Sequence, residues 1–272
     1  MEANLLLLAL AGWLAGGVVN ALADDLPHHR SPRLPHYPDG TPRPLVAWLG
    51  TLAFLTGKRC SPSGSCLSWR YPLAEIVTAI AFVVAASVAS NDPEMTELQL
   101  LFWLIYMAIF VLVVVIDVEH KLILFAVMIP SGLIAILDAA IAGHGPNLAG
   151  ALLGGAFGFI MAFILYLGGF LFIRVSARLR GHSINEVAFG YGDVMMFTLS
   201  GLILGAPALI FATYITVFAG AIGALLFLLG RGLRRRGYNL FTALPYGPYI
   251  VLGTVVMLLF SQEVLRAFGF AQ

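Results

Sequence analysis

Charge is what this chain lacks. Its 15 Lys and Arg and 14 Asp and Glu make up 11% of 272 residues, against 60% hydrophobic residues and a mean hydropathy of +0.93. That balance excludes an ordinary soluble globular domain. Cysteine is almost absent as well. Cys60 and Cys66 are the only two, too few by themselves for a zinc site, which takes four N or S ligands. The missing ligands would have to come from His28, His29 or His36. The N-terminus Met1-Glu-Ala-Asn4 lacks the positive charge of a signal peptide, although Ala21-Leu-Ala23 resembles a cleavage site. The first apolar run therefore reads as a retained span.

What is abundant is long apolar sequence. A helix needs about 20 apolar residues to cross the hydrocarbon core. Eight candidate spans follow, at about 4–23, 73–91, 98–117, 122–142, 148–173, 189–206, 208–230 and 243–261. The sequence predicts an all-α polytopic membrane protein with one small cytoplasmic loop region. Residues 1–23 form its first transmembrane helix, 24–72 the loop, and 73–272 a transmembrane core.

Basic residues give the orientation. Arg30, Arg33, Arg43, Lys58, Arg59 and Arg70 fall after the first span, Lys121 after the third, Arg174, Arg178 and Arg180 after the fifth, and Arg231 and Arg234 to Arg236 after the seventh. The connections Asn91–Glu97, Gly143–Asn147 and Gly205–Pro207 carry no Lys or Arg. The positive-inside rule then puts the basic loops in the cytoplasm and both termini outside.

Two acids stand out against this background. Asp117 closes the run Phe110–Ile116, and Asp193 ends Gly190-Tyr-Gly-Asp193 before a further apolar run. An ionised Asp at a helix centre costs about 2.5–3.5 kcal/mol on insertion scales, so such acids usually have partners or functions. In the eight-span topology both lie near the cytoplasmic face. Two close carboxyls share one proton and titrate as a coupled pair, able to take a proton from water and donate one to a carbonyl. Gly190 and Gly192 let backbone approach closely or adopt unusual angles. Asp193 opens a helix, whose positive end favours a carboxylate, while Asp117 closes one. Asp193 is therefore read as the resting base and Asp117 as the resting acid.

The loop from Asp24 begins as a Pro-rich extended stretch, followed by an apolar patch at Leu45–Leu55. Five residues separate Cys60 from Cys66. In a cytoplasmic loop the two are expected to remain free thiols. Glu75 follows Arg70-Tyr-Pro72 at a helix start, where it is expected to pair with Arg70. Asp138 is expected at the outer membrane interface, and Glu119 and His120 as solvated neighbours of Asp117.

Several stretches together resemble the type IV prepilin peptidases, membrane aspartic proteases that process pilin and type II secretion pseudopilin precursors. They are Gly16-Gly-Val-Val-Asn20 with Leu26-Pro27, Gly57-Lys-Arg-Cys60 with Cys66-Leu-Ser-Trp-Arg-Tyr-Pro-Leu-Ala-Glu75, and Ile116-Asp117 with Lys121-Leu-Ile123. Gly190-Tyr-Gly-Asp193 matches the family's Gly-x-Gly-Asp, and Leu244-Pro-Tyr-Gly-Pro-Tyr-Ile-Val-Leu-Gly253 its tail. The resemblance implies Asp117 and Asp193 as catalytic residues, supported by Gly190, Gly192, Glu75 and Lys121. It implies a prepilin or pseudopilin precursor as partner within the inner-membrane bilayer, with cleavage on the cytoplasmic side. No nucleic acid is expected.

Many members hold zinc with two Cys-x-x-Cys pairs, and some methylate their product with S-adenosylmethionine. Here the first pair is missing and the second is stretched, leaving Cys60 and Cys66 as weak metal candidates. The family's Lys after Gly-Asp-x is Met195, and Leu124 stands where a Pro is usual. These departures count against zinc and methylation and leave both open; proteolysis needs neither. A non-catalytic prepilin-binding relative and a proton-coupled transporter are the alternatives. The second would call for polar residues through the bilayer midplane or inverted repeats, and neither is evident.

Overall fold

In a bilayer each backbone N–H and C=O must be satisfied inside its own segment, so long apolar runs become helices. The computed structural model, which describes residues 4–180, 189–233 and 245–269, follows that rule. Its helices are α1 (Leu5–Asp25), α2 (Gly50–Leu55), α3 (Arg70–Ala89), α4 (Glu97–His120), α5 (Phe125–Ile141), α6 (Leu148–Arg180), α7 (Tyr191–Leu233), α8 (Gly247–Leu259) and α9 (Ser261–Ala267). No strand forms among the described residues, only isolated bridges at His36–Pro42 and Cys60–Cys66. The basic triplet Arg234–Arg236 and Leu244 of the tail motif lie outside the described residues.

The chain divides into two compact units, 1–127 and 128–272. In the first, α1, α3 and α4 pack on one another and α2 lies on α3. The approach of α1 to α3 depends on glycine: a Cβ at Gly16 would stand 2.5 Å from the Glu75 Cα. In the second unit α6 packs along α7, and α7 against α8. There a Cβ on Gly201 would come within 2.1 Å of the Gly154 carbonyl oxygen. Such small-residue seams are how membrane helices gain close van der Waals packing without a hydrophobic driving force. The outer faces stay apolar: Leu6, Leu10, Leu14 and Val18 of α1 are exposed, as are Leu153, Ile160 and Ile164 of α6.

The count of eight spans is not confirmed among the described residues. Five helices are long and apolar enough to cross, ending at residues 28, 89, 120, 171 and 230, or six if the pair α8–α9, bent by 94°, is counted as one span. The fourth expected span, α5, has only 17 residues and contains Pro130. The sixth and seventh merge into α7, whose 43 residues would reach about 65 Å if straight, twice the hydrocarbon core. It is not straight. The backbone breaks at Gly205 (φ 73°, ψ 166°), two residues before Pro207. The expected corner is thus present as a kink between helical arms rather than as a loop.

The segment between α1 and α3 is folded rather than merely extended. Tyr37, Ala47, Ala53 and Leu67 bury themselves with Tyr71 at the start of α3. Two short hairpins carry it, one closed by Tyr37 N–H to the Thr41 carbonyl (2.9 Å), the other by Ser61 N–H to the Ser65 carbonyl (2.8 Å). The second hairpin brings Cys60 and Cys66 together as a disulfide, with Cα atoms 4.0 Å apart. This corrects the expectation of free thiols. Spacing alone does not show that five intervening residues curl back, and here the turn is fixed by Ser61 Oγ accepting from Ser65 N–H.

Asp39 joins the two hairpins. Its carboxylate accepts from the hydroxyls of Ser61 (2.6 Å), Ser63 and Thr41 (2.6 Å). These donors, Ser61 first, hold the Asp39 carboxyl well below the usual carboxylate range. A depressed folded-state value contributes stability that is complete above the unfolded value and lost as pH falls. The stability difference between wild type and Asp39→Asn is therefore expected to be constant above about pH 5 and to close below about pH 4. Thermal unfolding of both proteins across that range checks it.

Candidate active site

Asp193 lies in the first turn of α7 and is 9% exposed. Its Oδ2 accepts the Gly190 N–H at 2.8 Å, and its own N–H donates to the Gly190 carbonyl at 3.1 Å. The first bond is the acid's half of a capping box, which satisfies an amide donor left over at a helix start; Gly190 has no side chain to return the other half. The carboxyl therefore sits at the positive end of a helix. Neither Gly190 nor Gly192 has positive φ, so the expectation of an unusual backbone there does not hold. What Gly190 supplies is space: among the described residues a Cβ would meet nothing nearer than the Asp193 Oδ2, 3.6 Å away.

An aromatic group surrounds this turn. The Phe189 ring lies 6.2 Å from Phe197, one turn beyond Asp193, and 6.2 Å from Tyr246. Burial, and then the Asp193 carboxylate, raise the Tyr246 phenol above its ordinary value. Sequence reasoning gave Tyr246 no role at Asp193. The only signal was its place in the tail motif, since 53 positions separate the two and only packing of α8 on α7 joins them.

Asp117 lies at the other kind of helix end. It is in the last turn of α4 and 5% exposed. Its carbonyl accepts the N–H of Lys121 at 2.8 Å, and Lys121 takes the left-handed conformation (φ 54°) that ends the helix. That is the cap position usually given to Gly. Beyond Asp117, Glu119 is exposed at the end of α4 and tied to Arg70 at 2.9 Å.

Glu75 is placed differently from expectation. Arg70 pairs with Asp24 and Glu119, not with Glu75. Glu75 is fully buried and serves the N-terminus of α2: Oε1 accepts from Gly50 N–H, and Oε2 from Thr51 N–H and Oγ1, both 2.8 Å. Asn20 of α1 donates to it at 3.3 Å. Glu75 is thus the joint of three helices. Asp138, near the C-terminal end of α5, is also buried.

The cysteine loop does not fit zinc. Its sulfurs are bonded to each other, and a carboxylate with three hydroxyls fills the gap between the hairpins. Among the described residues no three His, Cys, Asp or Glu side chains converge as metal ligands.

Comparison with known proteins decides the class. The pattern defining the type IV leader peptidase family matches residues 104–225, a stretch that contains both Asp117 and Asp193. A prepilin leader peptidase/N-methyltransferase of Bacillus subtilis is 30% identical over 233 residues, covering 83% of this chain and 79% of that protein. The chain belongs to the type IV leader peptidase family. It is accordingly a peptidase, and its apolar helices make it a membrane protein. Two further members show similar likeness. A prepilin leader peptidase/N-methyltransferase of Dichelobacter nodosus is 29% identical over 84% of this chain and 68% of its own length. A type 4 prepilin-like proteins leader peptide-processing enzyme of Escherichia coli is 31% identical over 78% and 67%. No solved structure gives a significant match.

Proposed function

We propose that this family member is an aspartic endopeptidase that cleaves the leader of type IV prepilin or pseudopilin-like precursors at the cytoplasmic membrane face. The observation that carries the reading is a pair of buried acids at helix ends of opposite polarity, each inside the stretch that matches the leader peptidases. Asp193, at a helix N-terminus with an amide donor on Oδ2, is the resting base that takes a proton from water. Asp117, at a helix C-terminus, carries the shared proton at rest and delivers it to the scissile carbonyl. The uncluttered side of Gly190 gives an extended leader room beside Asp193. Residues 73–272 form the peptidase core in this reading. The substrate helix enters laterally from the bilayer, with both termini of the enzyme outside. Only carboxyl groups take part in bond cleavage.

Co-expression in membranes with a prepilin from the same genome tests the activity. Intact-mass spectrometry is expected to show loss of the leader. An uncut precursor with every candidate substrate would overturn the reading, and the added mass of one methyl group would establish methyl transfer as well. Infrared difference spectra test the proton assignment. At mid pH the protonated-carboxyl band is expected to vanish in Asp117→Asn and to persist in Asp193→Asn; the reverse pattern exchanges the two roles.

A further inference from the structure

A polar cavity of about 410 Å³ opens in the first unit where three membrane helices end together. His28 follows α1, Arg70 begins α3, and Glu119 and His120 close α4; all four line it, with Arg30 and His36. Three helix ends at one level place the cavity at the boundary between hydrocarbon and water, the depth of lipid headgroups.

Its charges do not balance. Asp24 is taken up by Arg70, Arg43 and the Tyr71 hydroxyl, and Glu119 by Arg70. Asp25, behind the wall, is held by Arg33. Three guanidinium groups, Arg30, Arg43 and Arg70, therefore stand against the two carboxylates of Asp24 and Glu119. Arg30 is exposed and has no acid partner among the described residues. His28 and His120 stand on the same wall, their rings edge to face at 5.6 Å; His28 turns Nδ1 to the Asp24 carbonyl at 3.1 Å, which leaves Nε2 to the cavity, and His120 Nε2 lies 4.0 Å from Glu119. Close in sequence to the lining residues Arg70 and Glu119, Trp69, Leu73 and Val118 are exposed and apolar. An exposed cation, imidazole rings and these apolar residues suit a group that is anionic at one end and hydrocarbon at the other.

We propose that this cavity is an oxyanion site that seats the phosphate of an anionic lipid headgroup through Arg30, His28 and His120, with the acyl chains along the apolar residues Trp69, Leu73 and Val118. The site is separate from the peptidase reading and stands without it. Its chemistry would equally accept free phosphate, so the test has two arms. Full-length protein is purified with a mixture of phosphatidylglycerol and phosphatidylcholine, and retained lipid is counted by native mass spectrometry. Inorganic phosphate binding is measured by equilibrium dialysis in zwitterionic detergent.

Phosphatidylglycerol is expected to be retained over phosphatidylcholine, and Arg30→Gln to weaken that retention about fivefold, the effect of one basic residue near a charged surface. Arg266→Gln, a change of charge in α9, is the control and is expected to change nothing. Phosphate binding that depends on Arg30, without selective lipid retention, would keep the oxyanion site and assign it to a soluble ligand. Equal losses in both variants, or no loss in either, would overturn the proposal.

Discussion

Asp117→Asn and Asp193→Asn are each expected to lower leader cleavage by about 10³-fold or more while leaving the protein folded. A large loss follows because acid and base act as one unit, and removing either member of such a unit costs nearly as much as removing both. Folding survives because Asn has the shape of Asp. At position 193 its amide oxygen still accepts the Gly190 N–H that now meets Oδ2 at 2.8 Å. The measurement is precursor and product mass in matched membranes, with thermal unfolding of each purified variant alongside. A variant that folds and still cuts at the wild-type rate removes that acid from the mechanism. Loss of both activity and folding in Asp193→Asn would instead make the carboxyl a structural cap.

Glu75→Ala is expected to be the most damaging single change outside the acid pair, and for a different reason. The carboxyl is 0% exposed, and its oxygens receive the first two amides of α2, the Thr51 hydroxyl and the Asn20 amide. Stranding a buried donor costs about 1–3 kcal/mol. With several donors stranded together, a destabilisation of about 3 kcal/mol or more is expected. Glu75→Gln should fall between the two, because one of its positions becomes a donor facing amide donors. Thermal unfolding in detergent ranks the three proteins. A Glu75→Ala protein as stable as wild type, yet inactive, would return Glu75 to the supporting role at the catalytic acids that the family resemblance implies.

The two expectations separate chemistry from architecture, and sequence served them unequally. Asp117 and Asp193 were legible because an acid ending an apolar run is costly in a membrane whatever the fold. Their helix polarity was legible too, since Gly190 stands before one helix and Lys121 after the other. Glu75 was visible only as a polar residue near a helix start. Its partners, Gly50 and Thr51, lie about two dozen positions earlier, and adjacency in sequence pointed wrongly to Arg70. The loop cysteines failed in the same way: compartment and spacing argued for free thiols, whereas a local hairpin brings them into a disulfide.

By itself the sequence determined the class of molecule, because hydropathy is a sum over residues and an apolar run of about 20 residues in a bilayer satisfies its backbone as a helix. It also supplied the two candidate acids and, through five matching stretches, the resemblance to the family. Tertiary structure decided how consecutive runs join, where a break in the backbone at Gly205 leads one helical arm directly into the next. It decided that Glu75 joins three helices, that Tyr246 adjoins Asp193, and that Arg70 bridges Asp24 and Glu119 beside a cavity. Each of these depends on contacts between residues far apart in the chain. The sequence carries the donors and acceptors for them, but only packing brings them within hydrogen-bonding distance.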